Sequence, residues 1–315
     1  MQQSSPNPNI YEIKPEGWGD EEKAIWLAEQ KIKRSYKDEV VSLINTIGAE
    51  LETHFSVKEY GALSYDTDKY PLYLFKSKNW DPKKPSVLIT GGVHGYETSG
   101  VHGALAFVRN HAVNYLAKFN LVIAPCISPW GYETINRWNP KAVDPNRSFI
   151  ENGPSEEANQ IIQAVADISD DFLAHVDLHE TTDTDNTVFR PALAARDGIV
   201  QKTWNIPDGF YLVDDSENPN DDFQKAIIKS VEKVTHIALP DENNELIGEP
   251  MVSHGVIRYP LKKLSLCTSF TNSQYTTTTE VYPDSPKVTN DNCNDAQVAA
   301  CVGALDYLLS LNKQN

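Results

Sequence analysis

The run Ser-Val-Leu-Ile-Thr at residues 86–90 is the feature that most limits how this chain can fold. It is apolar between its end residues and leads directly into Gly91 and Gly92. Such a run, closed by a glycine turn, is typical of a strand that is buried on both faces. Apolar residues at helical spacing follow at residues 98–119, and a second apolar run occupies residues 121–124. The order strand, helix, strand predicts an α/β domain whose central sheet is largely parallel or mixed.

Further apolar patterns extend this alternation along the chain. They predict, in chain order, a helix over residues 20–52 that is broken once, strands over 54–64 and 70–75, a helix over 154–168, a strand over 172–178 and a closing helix over 297–309. In an α/β sheet of this kind, ligands bind beyond the carboxyl ends of the strands. Residues that follow the buried strands are therefore the candidates for a functional site.

The composition favours a globular protein with neither a nucleic-acid nor a membrane partner. Hydrophobic residues make up 40% of the 315 residues, enough for a large core, and the net charge of −16 is unsuited to a phosphate backbone. No stretch approaches the roughly 20 apolar residues of a membrane-spanning helix. The start, MQQSSPNPNI, lacks the basic and apolar regions of a secretory signal, which predicts a cytoplasmic protein. The four cysteines are spaced singly, which predicts reduced, mostly buried thiols.

The turn after the first buried strand carries His94 and Glu97. Residues three apart at the start of a helix project to the same side, so the imidazole and the carboxylate can converge on one ion. The neighbouring glycines let the backbone turn tightly. A His-x-x-Glu pattern is common by chance, and the alternative is a polar turn in which Glu97 caps the helix.

A second polar group lies at the end of the strand predicted over residues 172–178, in the sequence His-Val-Asp-Leu-His-Glu. Strand alternation puts His175, Asp177 and His179 on one face. Polar side chains inside a buried strand are unfavourable unless they bind a ligand or form hydrogen bonds. His179 is the predicted metal ligand because it lies last, nearest the first motif, whereas His175 is predicted to be a hydrogen-bonded core histidine.

Two histidines and one carboxylate are a typical ligand set for catalytic zinc, which leaves one position for water or substrate. Such a site needs a base, and the candidate is Glu280, the one carboxylate in a β-branched stretch at residues 276–282. The alternative is that Glu280 is a solvated residue on an edge strand. Two loop arginines, Arg137 and Arg147, can stabilise an oxyanion or bind a carboxylate, or they are ordinary surface cations.

Together, in this order and spacing, these segments resemble the zinc metallocarboxypeptidase family of carboxypeptidase A, which includes the succinylglutamate desuccinylase and aspartoacylase branch. The resemblance spans residues 84–282 and implies a mixed, mostly parallel twisted sheet of about eight strands flanked by helices. On this basis residues 1–80 are predicted to be an N-terminal helical extension with the first strands. Residues 81–315 are predicted to be the catalytic domain, with which the extension forms one structural unit.

The resemblance implies one zinc ion per chain, with His94, Glu97 and His179 as its ligands. It implies that Asp144 orients His94 through the far side of the imidazole ring. It also implies that Glu280 is the catalytic glutamate, which takes a proton from water and returns it to the leaving amine.

Three further positions match residues that contact substrate in the family. Asn146 and Arg147 match the pair that binds the substrate's terminal carboxylate. Arg137 matches the arginine that stabilises the tetrahedral intermediate. The sequence departs from the family ahead of Arg137, because Ser-Pro-Trp-Gly at residues 128–131 replaces the more usual Asn-Pro-Asp-Gly.

These assignments predict a hydrolase of the metallopeptidase type, a protease that removes a residue from a peptide C-terminus. The alternative is a deacylase or amidase that splits N-acyl amino acids with the same residues. A third hypothesis is a binding protein on the same fold, although the metal ligands and the base are all retained. Serine-nucleophile and thermolysin-type schemes lack support, because Gly-x-Ser-x-Gly and His-Glu-x-x-His are absent from the sequence. The expected partner is a peptide or an N-acyl amino acid, and no oligomeric state is predicted.

Overall fold

The computed structural model describes residues 9–311, which are built around an eight-stranded sheet. The strands are, in chain order, β1 (Phe55–Ala62), β2 (Pro71–Ser77), β3 (Ser86–Gly91), β4 (Asn120–Ala124), β5 (Ala174–Glu180), β6 (Tyr211–Asp215), the separate hairpin of β7 (Glu245–Leu246) and β8 (Glu249–Pro250), β9 (Val256–Tyr259) and β10 (Tyr275–Val281). The spatial order in the main sheet is β1-β2-β4-β3-β5-β10-β6-β9. This mixed sheet confirms the predicted α/β fold.

Eight α-helices flank the sheet within the described part of the chain. They are α1 (Asp20–Glu29), α2 (Ser42–Glu50), α3 (Thr98–Asn110), α4 (Pro129–Thr134), α5 (Glu156–Ala166), α6 (Arg190–Asp197), α7 (Asp221–Val231) and α8 (Asn290–Leu311). Across residues 9–311, no helix is long and apolar enough to cross a membrane.

The centre of the sheet is a block of parallel strands. The pairs β4–β3, β3–β5 and β5–β10 are parallel, as is β6–β9, whereas β1–β2, β2–β4 and β10–β6 are antiparallel. Because β3, β5 and β10 are parallel neighbours, their carboxyl ends lie side by side. The register pairs Thr90 with Asp177, and His179 with Glu280. Residues far apart in sequence thus meet at one edge of the sheet.

Both faces of the central strands are buried, which explains their uninterrupted apolar runs. In β3, Val87 and Ile89 belong to one apolar cluster and Leu88 to another, as strand alternation requires. The first cluster also contains residues of α3, α7 and α8, and the second contains residues of α5. The sheet is therefore held between helices, and its polar end residues are left to line a site.

Two predicted helix boundaries differ from the observed ones by more than two residues. The helix predicted over 98–119 ends at Asn110, and a 3-10 turn at Ala112–Tyr115 follows. The chain has to turn there because β4 begins at Asn120. The closing helix begins at Asn290 rather than at residue 297, because its first turns are polar and show no apolar period. The strands β6 to β9 and the helices α4, α6 and α7 were not predicted.

The N-terminal helical segment is broken once, as predicted. Helix α1 ends where Gln30 takes an extended backbone conformation, and a π-helical turn at Lys37–Val41 leads into α2. Strands β1 and β2 that follow are hydrogen-bonded into the main sheet. The division of the chain at residue 80 stays a prediction. Residues 1–8 and 312–315, at the two ends of the chain, lie outside the described part.

Candidate metal centre

The loop that carries the first predicted ligands needs glycine at two positions. Gly92 follows β3 with a φ of +59°, in the left-handed region that glycine occupies without strain. A Cβ atom on Gly95 would lie 2.1 Å from the backbone nitrogen of Tyr132. The guanidinium of Arg34 also donates a hydrogen bond of 3.0 Å to the carbonyl oxygen of Gly95. The loop is therefore packed closely from both sides, which holds His94 in place.

His94, Glu97 and His179 form a compact buried cluster. One ligand atom from each residue lies within 4.8 Å of the other two. The Nδ1 atoms of His94 and His179 lie 2.7 Å from Oε1 and Oε2 of Glu97, respectively. Each of the three residues is at most 2% exposed. The structure thus brings together the three residues that were predicted to bind zinc.

The donor atoms of this cluster suit a zinc ion. Two imidazole nitrogens and a carboxylate are ligands that zinc accepts in catalytic sites. Although it lies close to His179, Oε2 of Glu97 has no hydrogen bond of acceptable geometry within the described residues. A buried carboxylate oxygen without a hydrogen bond is unfavourable, and a cation would satisfy it.

Each histidine of the cluster is held from its other side by a buried aspartate. Nε2 of His94 lies 2.9 Å from Oδ1 of Asp144, and Nε2 of His179 lies 2.7 Å from Oδ2 of Asp177. These contacts direct both Nδ1 atoms towards the centre of the cluster. Despite burial, the Arg137 guanidinium and His94 hold the pKa of Asp144 well below its usual range. Asp144 therefore stays ionised, as a carboxylate that orients a ligand should.

His175 points away from the cluster. Its Nε2 lies 2.9 Å from Oγ1 of Thr90, and its Nδ1 lies 3.2 Å from Oγ1 of Thr271. Burial lowers the pKa of His175 to about 4, so the ring is neutral near pH 7. The structure thus places His175 among hydrogen-bonding core residues, as the sequence interpretation expected.

Glu280 lies on the central strand β10, beside His179 of β5. The edge-strand alternative is wrong, since β10 is hydrogen-bonded on both sides, to β5 and to β6. The hydroxyl of Thr181 donates a hydrogen bond of 2.7 Å to Oε2 of Glu280. Burial raises the pKa of the Glu280 carboxyl to about 8. A carboxylate of raised pKa is suited to accept and return a proton.

Arg137 and Asn146 have partners within the site. Nε of Arg137 donates a hydrogen bond of 3.1 Å to Asp144, and its Nη1 lies 3.5 Å from Asp185. Oδ1 of Asn146 accepts a hydrogen bond of 2.8 Å from the backbone nitrogen of Cys267. The Asn146 side-chain nitrogen lies 3.4 Å from Nε2 of His179.

Arg147 differs from Arg137 because, among residues 9–311, no carboxylate lies within 4.0 Å of its guanidinium. Its Nη1 donates a hydrogen bond of 2.7 Å to the carbonyl oxygen of Asn146. A guanidinium that lines a cavity without an acidic partner within 4.0 Å favours the binding of an anion.

All the predicted site residues line one cavity of about 730 Å³. They are His94, Glu97, Arg137, Asp144, Asn146, Arg147, His179 and Glu280. Residues from the N-terminal segment, from α6 and from the loop after α6 close other sides of the cavity, among them Trp18, Arg190 and Trp204. The site is therefore large enough for a substrate of one or two residues next to the cluster.

Sequence interpretation missed several residues that support the site. Asp177 was placed on the correct strand face but received no role, although its position two residues before His179 could have indicated one. Asp185 accepts a hydrogen bond of 3.0 Å from the hydroxyl of Tyr96 and also lies near Arg137. No local pattern marks Asp185, because it lies in a π-helical turn at Asp185–Phe189.

Comparison with known proteins relates this site to a family. Residues 58–206 match the family model described as zinc carboxypeptidase, somewhat less than half of the chain. The resemblance inferred from the sequence is confirmed over that segment, which includes His94, Glu97 and His179. Glu280 lies beyond it.

A curated relative and two solved structures are similar to the chain. Carboxypeptidase 2 of Trichophyton tonsurans is 31% identical over 128 residues, which cover 36% of this chain and 23% of the relative. The metallo-carboxypeptidase of Burkholderia cenocepacia has a TM-score of 0.60 at 14% identity and covers 86% of this chain and 68% of the other. Carboxypeptidase A of Helicoverpa armigera has a TM-score of 0.56 at 13% identity, with coverages of 88% and 74%. The similarities to the solved structures concern the fold alone. The chain spans about a quarter of the length of the curated relatives it matches.

Proposed function

Residues 58–206 are related to the zinc carboxypeptidases, and from this premise we propose that the chain is a zinc-dependent peptidase that removes the C-terminal residue of a peptide. The observation that carries the proposal is the composition of one cavity. It combines the buried His94, Glu97 and His179 cluster with Glu280 as a proton acceptor and with Arg147 as a cation without an acidic partner.

One zinc ion per chain would be held by His94, Glu97 and His179. When bound, zinc supplies an electrophile that polarises the scissile carbonyl and lowers the pKa of bound water to about 7. The aspartates behind both histidines fix the orientation of the rings and so keep the ligand nitrogens directed inward.

The other residues supply proton transfer and substrate orientation. Glu280 accepts a proton from the attacking water and delivers it to the leaving amine. The hydrogen bond from Thr181 fixes the position of the Glu280 carboxylate. Arg147, with Asn146, binds the terminal carboxylate of the peptide, and Arg137 stabilises the negative charge that develops on the carbonyl oxygen.

Release of amino acids from matched blocked dipeptides tests the proposal. Each peptide is prepared with a free C-terminal carboxylate and as the C-terminal amide, and N-acetyl amino acids form a third group. Among the peptides, we expect release only from those with a free C-terminal carboxylate, because Arg147 needs an anionic partner. A chelator should abolish the release, and added zinc should restore it.

Two outcomes would contradict the proposal. Equal release from acids and amides would remove the role of Arg147 in selecting a C-terminus. Release from N-acetyl amino acids without release from any peptide would assign the site to deacylation instead.

A further inference from the structure

Arg190 is a second guanidinium in the cavity without an acidic partner. It is the first residue of α6 and packs over the ring of Trp204, with Cζ 3.6 Å from the ring centroid. Its Nη1 donates a hydrogen bond of 2.9 Å to the carbonyl oxygen of Lys202. Its Nε is buried and has no hydrogen-bond partner within the described residues. Nor does any carboxylate among residues 9–311 lie within 4.0 Å of it.

The other arginines of the cavity show that this lack of a partner is not a general feature. Arg137 pairs with Asp144 at 3.1 Å. Arg196 donates hydrogen bonds of 2.7 Å and 3.2 Å to the two carboxylate oxygens of Asp197. Arg147 and Arg190 are therefore the two cavity arginines left without an acidic partner in the described residues. Asp144 acts electrostatically on Arg147, and Asp185 acts on Arg190, but neither forms an ion pair within 4.0 Å. Guanidinium groups in a cavity that form no ion pair favour anionic ligands.

Arg190 lies on the side of the cavity formed by β9 and the β7–β8 hairpin. The ring of Trp204, on which Arg190 packs, lies next to Gly248. Gly248 is in the turn between β7 and β8, and a Cβ atom on it would lie 3.1 Å from that ring. Tyr259 at the end of β9 lines the same cavity. Burial raises the pKa of the Tyr259 hydroxyl, Glu249 and Glu280 add to that increase, and Arg147 and Arg190 oppose it. Arg147, Arg190 and Tyr259 thus line one cavity.

We propose that Arg190 binds a second negative charge of the substrate, so that the enzyme prefers peptides ending in glutamate or aspartate. The inference rests on the proposed function, in which Arg147 binds the terminal carboxylate. The side chain of the terminal residue then extends towards Arg190, and its carboxylate forms charge-assisted hydrogen bonds with the guanidinium. Val213 and Ile247 also line the cavity and can pack against the methylene groups.

Paired substrates test this preference without any change to the protein. Blocked dipeptides ending in glutamate and in glutamine have nearly the same shape and differ in one charge. We expect kcat/KM to be at least about 10-fold higher for the glutamate peptide, as a charged hydrogen bond implies. Equal values, or a higher value for glutamine, would overturn the inference.

Substitution then assigns the preference to a residue. In Arg190→Gln the ratio of the two kcat/KM values should fall to within about 2-fold of one, because the charge is removed. Arg196→Gln is the matched control, since Arg196 lines the same cavity but is already paired, and it should keep the wild-type ratio. A ratio unchanged in Arg190→Gln would overturn the inference.

Calorimetric binding separates this inference from the proposed function. N-acetylglutamate and N-acetylglutamine are titrated into the chelator-treated protein, where no hydrolysis occurs. Preferential binding of N-acetylglutamate that Arg190→Gln removes would support the anion site even if no peptide were ever cleaved, in which case only the proposed function fails. Equal or undetectable binding of both compounds would overturn the inference whatever the peptide assays show.

Discussion

At the scale of single residues, the site depends on carboxylates that hold the two histidines from behind. Asp144 and Asp177 each contact the Nε2 atom of one ligand histidine. The Oγ1 hydroxyl of Thr90 in turn donates a hydrogen bond of 2.6 Å to Asp177. The orientation of both rings is thus set before a metal binds, which reduces the entropy lost on binding.

Replacing Asp177 with asparagine should weaken zinc binding by about 10- to 100-fold, because the amide is a weaker hydrogen-bond acceptor for His179. Competition with a chromophoric chelator measures the zinc affinity. His175→Ala is the control on the same strand face and should keep the wild-type affinity, whereas His179→Ala should lose zinc. An equal loss in His175→Ala and His179→Ala would contradict the assignment of ligands.

Replacing Glu280 with glutamine should leave the bound zinc in place and reduce kcat by at least about 100-fold, because the amide cannot accept the proton of the attacking water. Metal analysis and peptide hydrolysis are measured on the same preparation. A kcat close to that of the wild type would show that another group is the base.

At the scale of elements, α1 is attached to the rest of the molecule by aromatic packing. The ring of Trp26 lies 5.6 Å from that of Trp138 and 6.1 Å from that of Trp130, centroid to centroid. Trp18, just before α1, packs against Trp138 and also lines the cavity. The N-terminal segment therefore contributes to a wall of the site as well as to stability.

Trp26→Ala should destabilise the protein by about 3–5 kcal/mol, because it removes a large buried side chain from this aromatic cluster. Urea denaturation followed by circular dichroism measures the free energy of unfolding. Leu27→Ala on the same helix is the control, since Leu27 is 38% exposed, and it should cost less than about 1 kcal/mol. Similar losses for both variants would mean that α1 is not held by its tryptophans.

At the scale of the whole molecule, the candidate site joins segments that lie far apart in the chain. His94 follows β3, His179 belongs to β5, and Glu280 belongs to β10 between β5 and β6. A ligand that binds this arrangement and not the unfolded chain stabilises the fold as a whole.

Zinc at about 100 times its dissociation constant should stabilise the wild type by about 2.7 kcal/mol and so raise its melting temperature. Differential scanning calorimetry after removal of metal measures the change. Magnesium at the same concentration should have little effect, because it prefers oxygen ligands. The increase should be absent in His179→Ala, and an equal increase there would place the stabilising zinc elsewhere.

The sequence by itself determined the α/β class, the central strands and the three residues that meet in the buried cluster. These depend on local spacing, because strand alternation and helix periodicity decide which side chains share a face. The three-residue spacing of His94 and Glu97, and the terminal position of His179 on its strand, were therefore readable along the chain.

Only the tertiary structure decided which distant residues meet at the site. The register that sets Glu280 beside His179 joins strands about 100 residues apart, and no local period encodes such a pairing. The same holds for Arg190, whose lack of an acidic partner follows from how α6 and the loop after it fold over the cavity. Long-range strand order and loop packing depend on the whole chain. The arrangement of charged side chains that line the cavity depends on it too.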